Sequence, residues 1–339
     1  MKVKSCKKVF VAMSGGVDST VAALLLKKQG YQVIGVHFLL AKSQTLEVKR
    51  ICQKLKIKLY IWDFRPQFSK SVIKDFITQY KDGVTPNPCV ICNRMIKFGL
   101  FYERAKKAGA DYIATGHYVQ KAKVGSCYLL KKGKDYDKDQ SYFLWDLKPL
   151  VISHCLFPLG KLTKDKVKRI AAKYRLPRVK NESQEICFIT DKICNYLSNN
   201  IKSRPGIIRD FTSKKKVGRH QGLFLYTIGQ RSGLRLAGGP WFVLKKDISK
   251  NILWVTKDSK SLFSLKAELK KVNWLITPPE FPVTSEVKPR YRHPGVQAII
   301  KKTGNGCCVS FKKPERALTP GQSAVFYKGD ELLGGGIIK

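Results

Sequence analysis

Acidic residues are scarce in this chain. Its 339 residues carry 24 Asp and Glu against 65 Lys and Arg, a formal charge of +41. That imbalance disfavours basic partners and predicts salt-sensitive attraction to a polyanion, while saying nothing of the fold. The basic residues run along the whole sequence, which argues for a broad charged face and against a disordered basic arm. Long apolar runs are lacking, so no membrane attachment is expected. The apolar stretch within Met1 to Met13 is too short for a secretory signal and has no cleavage-like end. There is no internal repeat, and low complexity is confined to lysine clusters such as Lys214-Lys215-Lys216. Ten cysteines occur, yet a large lysine-rich chain does not read as a secreted disulfide scaffold. These absences together predict a cytoplasmic protein of a reducing compartment, with two or three domains for this length.

The two commonest phosphate-binding signatures are absent as well: the loop ending in Gly-Lys-Ser/Thr and the fingerprint of three spaced glycines. In their place stands Ser14-Gly15-Gly16-Val17-Asp18-Ser19. It follows the apolar run Val9-Phe10-Val11-Ala12-Met13 and precedes a helical pattern, Thr20 to Gln29, that stops at Gly30. A strand, a glycine turn and a helix N-terminus make an anion site, because turn N–H groups and the helix dipole both favour negative charge. The glycines permit close backbone approach.

The first half alternates short apolar runs with helical patterns. Val9–Met13, Gln32–Phe38, Lys58–Phe64 and Tyr112–Thr115 read as buried strands. Thr20–Gln29, Thr45–Leu55, Ser69–Tyr80 and Arg94–Ala108 read as the helices between them. This order predicts an α/β fold with a doubly wound parallel sheet, whose ligands sit at the carboxyl ends of the strands. Lys161 to Tyr174 reads as a further helix with Thr163 as its N-cap. Glycines and prolines then punctuate short segments from about residue 200. Beyond Lys266 the pattern is strands and turns, among them Val296–Lys301, Cys307–Phe311 and Ser323–Tyr327, and predicts a small β-barrel. We place the domains at 1–198, 199–265 (a small central adaptor) and 266–339.

Thr85-Pro86-Asn87-Pro88-Cys89-Val90-Ile91-Cys92-Asn93 reads as a loop stiffened by its prolines. Its Cys-x-x-Cys fits half a zinc site, a redox pair or a nucleophile with a neighbour, and no second such pair follows at zinc spacing. Cys187 lies in Ser183-Gln184-Glu185-Ile186-Cys187-Phe188-Ile189, a strand-like run in which a lone cysteine reads as a core thiol. Paired with the first two cysteines, and beside an anion loop, it suits sulfur chemistry. Only thiolates attack, and Lys or Arg near a thiol favours the thiolate.

The loop at Ser14–Ser19 resembles the pyrophosphate loop of ATP pyrophosphatases. Further stretches resemble the bacterial and mitochondrial tRNA-specific 2-thiouridylases, in order and over nearly the whole chain. They include Thr85–Pro88 with Cys92-Asn93 and Ile96-Lys97-Phe98, Ala114-Thr115-Gly116-His117-Tyr118, Lys138-Asp139-Gln140-Ser141-Tyr142-Phe143-Leu144 and Ile186–Ile189. In the second half they include Tyr226-Thr227-Ile228-Gly229-Gln230-Arg231, Arg290-Tyr291-Arg292, Thr319–Tyr327 and Gly334–Ile338.

The resemblance implies an N-terminal ATP pyrophosphatase domain and a specific reaction. ATP with Mg²⁺ would adenylate the 2-oxygen of the wobble uridine, position 34, in tRNAs for Lys, Glu and Gln. A persulfide on Cys187 would replace that oxygen with sulfur, Cys92 acting as nucleophile or resolving a disulfide. It also implies that Ala12, Met13, Ser14, Gly15, Gly16, Val17, Asp18, Ser19, Phe38 and Gly116 bind ATP, with Asp18 on Mg²⁺ and no permanently bound metal. Asn87, Pro88 and Cys89 would line the target-base pocket. His117, Lys138, Asp139, Gln140, Arg290, Tyr291 and Gln322 would contact the anticodon arm. The sulfur donor would be a cysteine desulfurase or a sulfur-relay protein. Two departures stand out: Cys89 replaces an Asp of some relatives, and Leu39–Gln44 replaces a longer acidic segment. The residues also admit a related enzyme acting on another nucleobase, or a basic RNA-binding protein with a degenerate nucleotide site.

Overall fold

The computed structural model describes residues 6–40, 45–177, 186–189 and 191–339. The chain opens with β1 (Lys8–Ala12), α1 (Val17–Lys28), β2 (Gln32–Leu39), α2 (Thr45–Leu55) and β3 (Lys58–Asp63). Helix α3 runs Arg65–Phe68, Ser69–Ile73 and Lys74–Lys81 without a break, its middle turn π-helical. Helix α4 likewise joins Pro88–Cys92, a π-helical Asn93–Leu100 and Phe101–Lys107. Strand β4 (Tyr112–Ala114) follows, then a hairpin, β5 (Val119–Val124) and β6 (Cys127–Lys132), then α5 (Pro149–Ser153) and β7 (Cys155–Leu156).

Strands β3, β2, β1, β4 and β7 lie in that order and every pair is parallel. Central β1 is buried on both faces. Phe10 packs into one apolar cluster with Ile34, Trp62 and Phe101, and Val9 and Val11 pack into another with Val21, Leu26 and Ile51. That is the doubly wound arrangement expected from its unbroken apolar run. Helix α6 (Lys164–Lys173) has Thr163 as N-cap, its hydroxyl accepting from the Lys166 N–H. Helix α7 (Ile193–Asn200) ends this part.

A second sheet holds β8 (Gly206–Asp210), β9 (Lys216–His220), β10 (Phe242–Asp247) and β11 (Ile252–Thr256), ordered β10-β11-β8-β9. The third is built from β12 (Phe263–Trp274), β13 (Val283–Lys288), β14 (Val296–Thr303), β15 (Gly306–Arg316), β16 (Ser323–Lys328) and β17 (Glu331–Ile338). Its order is β12-β15-β14-β13-β16-β17, and β12 pairs back with β17 to close a six-stranded barrel. Closure removes the exposed edges that an open sheet would present.

The hairpin β5–β6 was not expected from the sequence. It leaves the parallel sheet and extends the barrel sheet, Leu130 and Lys131 pairing with Leu332 and Glu331. The following segment anchors the barrel. The Trp145 indole N–H donates to Ser323 Oγ at 3.0 Å, the Tyr142 hydroxyl to the Ser323 carbonyl at 2.8 Å, and the Asn273 amide to the Trp145 carbonyl at 2.8 Å. Tyr142 and Trp145 are fully buried, so truncating either to Ala costs about 3–5 kcal/mol. The barrel is thereby fixed relative to the parallel sheet.

Candidate active site

Helix α1 begins three residues earlier than the periodicity indicates, at Val17 with Gly16 as N-cap, so Asp18 and Ser19 sit in its first turn. No side chain caps it, which leaves its first N–H groups facing outward. Gly15 has φ +90°, a conformation that favours glycine. The turn is braced from within: the Ser14 N–H donates to Ser19 Oγ, and the Ser19 hydroxyl to the Gly16 carbonyl at 3.0 Å. Gly116, just past β4, packs against it. A Cβ on Gly116 would lie 2.9 Å from both Asp18 C and Ser19 N. Asp18 is not free. Lys164 Nζ donates to both its carboxylate oxygens at 2.8 Å, and the Tyr118 hydroxyl to one of them at 2.7 Å. Phe38, at the end of β2, stacks obliquely on Phe64 and Phe101. Ala41–Gln44, within the substituted segment, lies outside the described residues.

The cysteine segment is a helix start and not the loop that its prolines suggest. Pro88 occupies the first helical position, where a missing N–H costs nothing and its fixed φ suits the helix. Asn87 is the N-cap, its Oδ1 accepting from the Cys89 N–H at 3.2 Å. The Cys-x-x-Cys spacing therefore puts both thiols on one helical face. Cys89 is partly exposed and Cys92 is 6% exposed. Burial pushes the Cys92 thiol up to about 12. It raises Cys89 too, and Cys187 adds to both shifts while the Lys97 ammonium opposes them. The three thiols are thus within electrostatic reach of one another. Cys187 itself is exposed, in a turn at Ile186–Phe188 where the sequence suggested a strand. Ser183–Glu185 lie outside the described residues.

His117 joins the two halves. Burial first, then Lys97, lowers its pKa well below the usual imidazole value, so it is neutral. Its Nδ1 lies 2.7 Å from Thr115 Oγ1 and its ring packs on Phe98. Gly116 thus packs on the Ser14–Ser19 turn, and His117, next in the chain, shares Lys97 as a charged neighbour with Cys89 and Cys92.

The remaining candidates divide into engaged and available side chains. Asp139 is buried, and its carboxylate accepts from the Gly133 N–H, the Ser141 N–H and the Ser141 hydroxyl. Gln140 bonds twice to the Tyr118 backbone. The Tyr291 hydroxyl donates to the Asp139 carbonyl at 2.9 Å, its ring centroid lies 4.4 Å from that of Phe143, and burial first, then Asp139 and Cys89, raises its pKa. Lys138 is half-buried and Arg290 is exposed. Gln322 donates to the Thr85 carbonyl at 2.8 Å, while the Thr85 N–H donates to Pro320. The barrel turn at Thr319–Gln322 therefore holds the extended segment that leads into the cysteine helix. Beside it lies a cavity of about 410 Å³, lined by Thr85, Thr227, Gly229, Gln230, Arg290 and Arg316 among others.

Three domain families match the chain consecutively: a tRNA methyl transferase HUP domain over 7–191, a tRNA methyl transferase PRC-barrel domain over 194–257, and an aminomethyltransferase beta-barrel domain over 264–338. The tRNA-specific 2-thiouridylase MnmA of Geobacillus thermodenitrificans is 41% identical, covering 98% of this chain and 94% of its own. Its counterpart in Buchnera aphidicola subsp. Acyrthosiphon pisum is 42% identical, covering 100% and 98%. The chain belongs to the tRNA-specific 2-thiouridylase family. The counterpart from Pseudomonas paraeruginosa (strain DSM 24068 / PA7) is 40% identical over 98% of this chain. Among solved structures, NMN synthetase from Francisella tularensis overlaps 56% of this chain and 71% of its own, at 14% identity and a TM-score of 0.34.

Three side chains around this candidate site were given no task by the sequence reading. Lys164 and Tyr118 hold Asp18 from 146 and 100 positions away. Lys97 and Tyr118 both lie in stretches that carry the family resemblance. Nothing local marks Lys164 or Tyr118 for that contact, since each meets Asp18 from far away in sequence.

Proposed function

We propose that this chain is an ATP-dependent tRNA-uridine 2-sulfurtransferase acting on the wobble uridine of tRNAs for Lys, Glu and Gln. The observation that carries the reading is an uncapped, glycine-built turn packed by Gly116, together with three thiols that influence one another electrostatically. Residues Ala12 to Ser19, with Phe38 and Gly116, would seat ATP. Oxygen 2 of the uracil attacks the α-phosphorus, the bond to the β-phosphate breaks, pyrophosphate leaves, and the N3 proton goes to solvent. Among the described residues no group of three or more His, Cys, Asp or Glu is placed to hold a metal. Asp18 is already ion-paired. Mg²⁺ would enter with ATP as the counterion of its phosphates.

The exposure difference supports the division of labour between the thiols. Cys187 is open to a macromolecular sulfur donor, a desulfurase or a relay protein, and Cys92 is not. The terminal sulfur of a Cys187 persulfide attacks C2, and AMP departs with the C2–O electron pair. The Cys92 thiolate then attacks the Cys187 sulfur. A Cys92–Cys187 disulfide forms, the bond to the thiouridine sulfur breaks, and that sulfur keeps the pair. Two equivalents of an external thiol supply the two electrons that reduce the disulfide, and are themselves joined as a disulfide. Asn87 and Pro88 shape the base pocket through the helix start they build, and Cys89 faces it. A target base must leave the anticodon stack to reach them. Lys138, Arg290 and Gln322 face the RNA, with His117, Asp139, Gln140 and Tyr291 holding the surface beneath.

The test supplies ATP–Mg²⁺, a persulfide donor and unmodified tRNA to the purified protein, and reads the digested nucleosides by mass spectrometry. 2-Thiouridine is expected with wild type and is lost in Cys92→Ser and Cys187→Ser, while pyrophosphate release persists. Normal thiolation by either serine variant refutes that cysteine's role. Neither thionucleoside nor pyrophosphate with any of the three tRNAs refutes the reaction.

A further inference from the structure

The cysteine helix is α-helical over Pro88–Cys92, π-helical over Asn93–Leu100 and α-helical again from Phe101. An α-helix turns about 100° per residue, so a residue five positions on lies about 140° round the axis. In a π-helix the backbone bonds run to i+5 and each residue turns less, so residues five apart become neighbours on one face, as residues four apart are in an α-helix. Lys97 is five residues beyond Cys92. The wide turn swings it from the flank of the helix onto the face that carries the thiols.

Its surroundings fit that placement. The Lys97 ammonium acts on Cys89 and Cys92 from its own helix and on His117 from the segment after β4. Cys187 faces the same thiols from the Ile186–Ile189 turn, and Tyr291 faces Cys89 from the barrel. Among the described residues Lys97 makes no ion pair, whereas the neighbouring Arg94 is paired with Asp146. A half-buried ammonium with proton-bearing thiols around it and no described carboxylate partner is a cation arranged to meet an anion that arises during the reaction. That anion is a sulfur, since only the thiolate attacks and a neighbouring cation favours it.

We propose that Lys97, brought round by the π-turn, is the cation that holds the Cys92 sulfur as a thiolate during sulfur transfer. Cys92 releases its proton to solvent, the negative sulfur pairs with the ammonium, and it is then consumed in the disulfide with Cys187. This rests on the thiolation reading for its purpose. Its test does not, because thiolate reactivity can be measured without ATP, tRNA or a sulfur donor.

The experiment follows iodoacetamide alkylation of Cys92 by peptide mass spectrometry from pH 7 to pH 10, in wild type, Lys97→Met and Lys97→Arg. Losing the charge is expected to slow Cys92 alkylation about tenfold at each pH, a shift of about one pH unit. Arginine is expected to restore the rate to within about threefold. Melting temperature and ATP binding stay at wild-type values in both variants. Lys97→Gln serves if the methionine variant does not fold. A Cys92 profile in the uncharged variant that matches wild type overturns the proposal. So does an arginine variant as slow as the methionine one, since that would show packing and not charge to be at work. A shifted profile in a protein that makes no 2-thiouridine would keep Lys97 as the cation on the Cys92 thiolate and refute the thiolation reading that gives it a purpose.

Discussion

Replacing Gly116 by alanine tests whether the Ser14–Ser19 turn seats ATP. The added Cβ would lie 2.9 Å from Asp18 C and from Ser19 N, against an ordinary contact of 3.4 Å or more. Both are backbone atoms in the first turn of α1, so neither can rotate aside and the turn must retreat by about half an ångström. Such a retreat stretches an N–H···O contact from about 2.9 Å to about 3.4 Å, past the useful range of a hydrogen bond. A bond to a charged phosphate is worth about 1.5–3 kcal/mol, so losing one weakens ATP binding about 10- to 150-fold. The assay is calorimetric titration with ATP–Mg²⁺, alongside pyrophosphate release as a function of ATP. The KM for ATP should rise by that factor with the tRNA dissociation constant unchanged. An ATP affinity within twofold of wild type, in a protein whose melting temperature has nonetheless dropped by several degrees, would show the turn to be scaffold and refute the assignment.

Two further outcomes follow from the same geometry. Gly321 has φ +91°, and a Cβ there would meet the Thr85 backbone at 2.9–3.1 Å, so Gly321→Ala should loosen the turn that holds the cysteine segment. It is expected to cut 2-thiouridine formation at least tenfold and leave the KM for ATP unchanged; a matching rise in that KM would show that the two halves are not separable. Burial raises Cys52 to about 11, and Cys92 and Tyr80 to about 12. The folded state then holds protons that the unfolded chain gives up near its ordinary values, so stability is full below about pH 8.5 and falls as pH rises through the folded values. Thermal melts should show a flat melting temperature to about pH 8 and a decline above about pH 9, and a rise there would contradict the burial of these groups.

Much of the architecture is legible in residue order. The unbroken apolar run at β1, the glycine turn behind it, the Thr163 cap and the late strand-and-turn pattern each depend on neighbours a few positions apart. Helix starts shift by one to two turns because capping, and not periodicity, sets them: Gly16 starts α1, and Asn87 with Pro88 starts the cysteine helix. Pro88 was misleading for a plain reason. A proline breaks a helix interior but suits its first residue, and only the Asn87 cap tells the two apart.

By itself the sequence determined the chemistry on offer: an anion loop, three thiols within reach of a shared task, and a charge of +41 suited to a polyanion. Tertiary structure decided which of those groups are usable. It ties Asp18 to Lys164, spends Asp139 on the chain around Ser141, buries Cys92 while leaving Cys187 open, and carries hairpin β5–β6 into the barrel sheet. These outcomes depend on contacts between residues tens to hundreds of positions apart. Burial and charge neighbours set the availability of a titratable group, and neither is a property of its local sequence.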